Sequence, residues 1–170
     1  MSFAQGDTVV HPQHGAATVE RIVSRNGGAG PEEYIELQAL SPHLTIFIPA
    51  RSLDEVGVRN LSTKNEAEAT LDILRAPSDI PEEWSERNAF TIARMKSTDL
   101  HERAMVVRDL TRHAQRTGKP LNAGENRALD SCLDMVSREL ALALGMSEEE
   151  TRARIVEASL VPEEAPDHAT

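Results

Sequence analysis

The chain has 170 residues and a formal charge of −10, from 18 Lys and Arg against 28 Asp and Glu. That length accommodates one domain or two small ones with cores of their own, and the acidic balance argues against a free-standing, high-affinity DNA binder, which carries a basic surplus. No apolar run is long enough to cross a bilayer, the first residues lack the features of a signal peptide, and the single cysteine, Cys132, excludes an internal disulfide and fits a reducing cytosol.

The first sixty or so residues alternate like strands. Gly6 to Val10 opens as a short strand, and His11 to Gly15 reads as a turn. Ala17 to Val23 forms a second strand, which Arg25 leaves before a loop of Asn26, Gly27, Gly28, Gly30 and Pro31. Tyr34 to Leu40 is the third, with Ile35, Leu37 and Ala39 on one face. Leu44 to Ile48 is the fourth, and Gly57-Val58 offers a short fifth. Short strands joined by tight turns predict a small SH3-like or Tudor-like barrel. In the fourth strand Leu44, Ile46 and Ile48 share one face; with that trio in the core, Phe47 points outward, either as an interaction candidate or as an isolated surface residue. Asp7, His11 and His14 lack the spacing of a structural zinc site, so neither a metal nor another cofactor is predicted.

From Ser62 onward the pattern becomes helical. Ser62 or Thr63 caps a helix that runs through Leu74. The stretch 76–87 interrupts it with Pro77 and Pro81, which lack a backbone donor and turn the preceding residues away from helix. A second helix follows over Glu82 to Lys96, with Phe90, Ile92 and Met95 as its apolar positions. Its first turn carries Trp84, the only tryptophan, which either plugs a domain junction or projects to touch a partner. Asp99 with Glu102, Asn122 with Glu125 and Ser147 with Glu150 resemble capping boxes for three more helices. The first of these runs to Gly118; Gly145 ends the next; Ile155 and Ala158 face inward on the last. The fold class predicted is α+β, with a barrel over 1–61, a bundle of about five α-helices over 62–160 and a disordered tail over 161–170.

Arg108, Arg112, Arg116 and Lys119 recur at intervals of four, four and three, so they share one helical face. Such a stripe follows a phosphate backbone or is a solvated face opposite the core. No nucleophile-and-base pattern or phosphate-binding loop is present, and Gly27 to Gly30 lies between strands, so the sequence does not read as an enzyme.

The segments Gly6-Asp7-Thr8-Val9-Val10-His11-Pro12-Gln13-His14-Gly15, Ile48-Pro49, Val56-Gly57-Val58-Arg59, Leu74-Arg75-Ala76-Pro77, Trp84-Ser85, Val106-Val107-Arg108-Asp109-Leu110, Ala123-Gly124-Glu125 and Glu139-Leu140-Ala141 together resemble the CarD/CdnL family of bacterial transcription regulators. The resemblance is collinear from about Phe3 to about Ser159. It implies a cytoplasmic monomer, associated with the nucleoid through RNA polymerase. The Tudor-like domain would bind the polymerase β subunit through Arg25, beside the outward Phe47 that the strand alternation points to, and the helical domain would meet promoter DNA through Trp84 and Arg87, to which the basic stripe adds Arg108, Arg112 and Arg116 as candidates. The tryptophan would wedge into the minor groove at the upstream edge of the bubble and slow its collapse, which favours an exposed ring. Glu86 and Ala89 stand where the family often has basic residues, and Phe47 where it can have arginine. An alternative is an adaptor that binds polymerase while its acidic bundle leaves DNA alone.

Overall fold

The computed structural model describes residues 2–27, 30–40 and 43–160; the segment 161–170, where a disordered tail is expected, lies outside them. The architecture is α+β, and the chain divides into two compact units, the first ending at Leu61 and the second starting at Ser62.

The first unit is a five-stranded antiparallel sheet with the Tudor-like order β4-β3-β2-β1-β5. The strands are β1 (Thr8–His11), β2 (Gly15–Gly27), β3 (Gly30–Ala39), β4 (Thr45–Pro49) and β5 (Arg59–Asn60). A 3-10 turn (Ala50–Ser52) and a one-turn helix, α1 (Leu53–Val56), join β4 to β5. Val9, Ala17, Val19, Ile35, Leu37, Ile48, Leu53 and Val58 fill the core. Two expectations are corrected. The strand at Gly57-Val58 lies two residues later, because Gly57 terminates α1 in the left-handed conformation and Val58 turns into the core. The second and third strands are also longer than the sequence implies, so Arg25 lies inside β2, paired with Glu32 of β3.

A bulge between Val19 and Arg21 decides which way that extension faces. Val19 opposes Leu37 on the core side, and the extra residue, Glu20, shifts the alternation by one. Arg21, Val23 and Arg25 then oppose Glu36, Tyr34 and Glu32 on the outer face, where Phe47 of β4 also opposes Glu36.

The second unit consists of α2 (Lys64–Arg75), α3 (Trp84–Met95), α4 (Leu100–Thr117), α5 (Ala123–Leu144) and α6 (Glu148–Ser159). Local caps place the starts of these helices. Thr63, Asn122 and Ser147 form reciprocal capping boxes with Glu66, Glu125 and Glu150. Asp99 caps α4 through the His101 N–H rather than through a box, and Ser62 bonds the Glu139 carboxylate instead of capping α2. Gly118 and Gly145 end α4 and α5 at positive φ. α4 packs against α2, α3, α5 and α6, which explains why it is buried nearly all round. Leu71, Leu74, Val107, Leu110, Val136, Leu140 and Ile155 lie at the centre of this core. Among the described residues no helix is long and apolar enough to cross a membrane.

Candidate functional site

On the outer face of the sheet, the Arg25 guanidinium carbon sits 4.3 Å from the centre of the Phe47 ring and 5.9 Å from that of Tyr34. An aromatic face attracts a cation, and the stacked guanidinium keeps its in-plane donors available. Arg25 makes no ion pair among the described residues, whereas its neighbour Arg21 is paired with Glu36 at 2.5 Å. Phe47 is itself exposed. β4 is an outer strand of the sheet, so its free side is not hydrogen-bonded to another strand.

The second candidate is the start of α3. The helix begins at Trp84, two residues later than the sequence implies, because the Glu83 carboxylate caps it by accepting the Glu86 N–H at 2.9 Å. That backbone donor, with the Ser85 N–H, holds the Glu83 carboxyl below the usual glutamate range. Trp84 is 54% exposed, so its ring is not packed into the core of the bundle. Phe90 and Ile92, two of the apolar positions of this helix, are exposed as well. The reason is that α3 binds the bundle through a polar stripe, Arg87, Thr91 and Arg94. Arg94 reaches Asp109 of α4 at 2.5 Å and lies under the Phe90 ring at 4.2 Å, and Arg87 reaches Glu125 of α5 at 2.7 Å.

The four arginines expected to meet DNA are not equivalent. Arg108 and Arg112 are buried, which corrects the expectation of a solvent-facing basic stripe, and Arg87 of α3 is buried too. Arg108 pairs with Asp109 at 2.7 Å, and its Nη1 points to the Ile73 carbonyl at 3.4 Å. Arg112 donates to the carbonyl oxygens of Leu74, Arg75 and Ala76, and its Nε to that of Ser159 at 3.1 Å. The carbonyls in the last turn of a helix have no intrahelical partner, so a side chain from α4 completes the end of α2. A helix periodicity shows which residues share a face, and here the shared face of Arg108 and Arg112 looks inward at carbonyls. Arg116 alone among the four is exposed, and it pairs with Glu82.

His113, one turn before Thr117, is mostly buried, and its Nδ1 lies 3.9 Å from Glu82. Burial and then the Arg87 charge push its pKa below the ordinary value. Glu125 and Asp109 are the residues that sequence reasoning left as a cap and as part of a motif. A carboxylate flanked by core positions, as Asp109 is between Val107 and Leu110, was the available signal for a buried ion pair. His11 and His14 stack with ring centres 4.7 Å apart, and Gln13 N–H donates to His11 Nδ1. Among the described residues no cluster of His, Cys, Asp and Glu is placed to hold a metal.

Comparison with known proteins matches both units. The family model described as "CarD-like/TRCF RID domain" matches residues 3–62, and that described as "CarD, C-terminal domain" matches residues 69–156. The chain is also 26% identical over 152 residues to "Putative transcription factor YdeB" of Bacillus subtilis (strain 168), which covers 89% of this chain and 98% of that protein.

Proposed function

Because this chain belongs to the CarD-like family of transcription regulators, we propose that its first unit binds the β subunit of RNA polymerase and its second stabilises the open promoter complex at the upstream edge of the bubble. The observation that carries the reading is Trp84, the most exposed of the large apolar side chains among the described residues, placed in the first turn of a helix. An apolar ring inserted at a base step offsets part of the cost of unstacking once the duplex has opened. Arg25, stacked on Phe47, is the polymerase-facing cation, and Arg116 is the exposed cation of the DNA-facing set.

The experiment is the decay of open promoter complexes in the presence of a competitor, with the parent protein and with Trp84→Ala. Base stacking on an aromatic ring is worth roughly 1–3 kcal/mol, so bubble closure should accelerate by about five-fold to a hundred-fold. Equal lifetimes, with polymerase binding intact, reject the wedge.

One observation favours the adaptor as a second reading. Glu82, Glu83 and Glu86 surround Trp84 in sequence, and Glu83 already occupies the backbone donors of the turn that a phosphate would use. In an adaptor the same decay would be identical with and without the protein. Under the wedge reading, tethering through the first unit compensates for the scarcity of free cations by raising the local concentration of the second.

A further inference from the structure

Arg87 and Glu125 lie 2.7 Å apart with side chains only 7% and 6% exposed. Two charges taken out of water persist there because they pair and because their other polar atoms also find partners. Arg87 Nη1 donates to the carbonyl oxygens of Glu82 at 2.7 Å and Pro81 at 3.4 Å. Glu125 accepts the Asn122 N–H at 3.1 Å with its second oxygen, so it is anchored in the first turn of α5. The guanidinium therefore grips the backbone immediately before Trp84, and the carboxylate fixes that grip to another helix. Resting on the reading of Trp84 as the DNA-contacting ring, we infer that Arg87 and Glu125 are positioning residues: together they set the direction in which Trp84 projects, and Arg87 touches no phosphate.

The chemistry of the pair separates this role from a phosphate contact. A guanidinium spans a carboxylate and two carbonyls with donors in a fixed plane, whereas a lysine ammonium keeps the charge without that span. Glutamine at position 125 keeps one oxygen to accept the Asn122 N–H, as capping boxes allow, and removes the charge together with the second oxygen, which accepts the Arg87 Nε–H.

Arg87→Lys and Glu125→Gln are compared with the parent in the full chain. Trp84 is the only tryptophan, so fluorescence anisotropy and acrylamide quenching report its mobility in the free protein. Both variants should lower the anisotropy and increase quenching while keeping the helical circular-dichroism signal. In promoter complexes both should hasten closure, by no more than the about five-fold to a hundred-fold assigned to the ring itself. Neither should add to the effect of Trp84→Ala, because they act through that ring. A phosphate contact predicts the opposite sign for Glu125→Gln: releasing Arg87 from its carboxylate would tighten DNA binding and steepen its salt dependence, and that result overturns the inference. Unchanged anisotropy and quenching in the folded variants overturn it too. Should Glu125→Gln lose its helical signal, Arg87→Lys supplies the same test. If Trp84→Ala leaves complex lifetime unaltered, the wedge reading fails, and the fluorescence arm alone upholds or overturns the clamp.

Discussion

Arg25 of β2 stacks on Phe47 of β4 across the intervening strand β3, with 4.3 Å between the guanidinium carbon and the ring centre. The two residues are 22 positions apart and meet because both fall on the outer face of one sheet. At an exposed site such a contact stabilises by only about 0.5–1 kcal/mol. Its value lies in presenting a flattened cation beside an apolar ring.

Arg25→Glu should therefore weaken binding to the polymerase β subunit while leaving the melting curve of the protein almost unchanged. A pull-down or titration with the β subunit reads the first, and calorimetry the second. Undiminished binding removes Arg25 from the contact surface.

Trp84→Ala makes a second stability test. A buried tryptophan would leave a cavity costing about 3–5 kcal/mol. The ring is 54% exposed, so the truncation should shift stability by less than about half a kcal/mol. A large fall in melting temperature would show the ring packing against the fold.

The buried arginines should behave in the opposite way. Arg112→Ala leaves the carbonyls of Leu74, Arg75, Ala76 and Ser159 without this donor. Each buried group left unsatisfied costs about 1–3 kcal/mol, so denaturant unfolding should show a loss of at least about 3 kcal/mol. Arg116→Ala removes an exposed pair with Glu82 and should cost less than about 1 kcal/mol. In DNA titrations Arg116→Ala should flatten the salt dependence by at most about one unit of slope. Equal and small losses of stability for the two variants would return Arg112 to the surface.

The pH dependence follows from His113. Its pKa is lowered in the fold, by burial first and then by Arg87, with Arg116 acting the same way and Glu82 and Glu125 opposing. The unfolded chain therefore takes up a proton before the folded one does, and stability rises with pH in that interval. The contribution is complete above the ordinary value of 6.5 and declines as pH falls through it toward the lower folded pKa. Melting temperature should drop between neutral and mildly acid pH, and His113→Gln should reduce that drop. An identical pH profile for the variant would assign the effect to other groups, of which His11, also lowered by burial and by His14, is the first to test.

Local chemistry was legible in the residues themselves. Asn122 and Ser147 announce their helices because a capping box needs only residues three apart, and Gly118 and Gly145 end theirs because glycine tolerates positive φ. The alternation of Ile35, Leu37 and Ala39 identified a core face for the same reason, since a strand's period is intrinsic to its backbone. The α+β class and the family followed from these signals and from the order of the quoted motifs.

What tertiary structure alone decided is the direction in which the charged residues look. The bulge at Glu20 turns Arg25 onto the face of Phe47, and nothing local in Val19 to Arg21 declares that an extra residue will be left unpaired. The spacing of Arg108, Arg112 and Arg116 placed them on one face, yet whether that face meets water or the carbonyl end of α2 depends on where a helix some thirty-five residues upstream comes to rest. Likewise Arg87 became a buried anchor when α5 brought Glu125 to it across 38 positions. Burial of a charge requires a partner, and the partner is supplied by the fold.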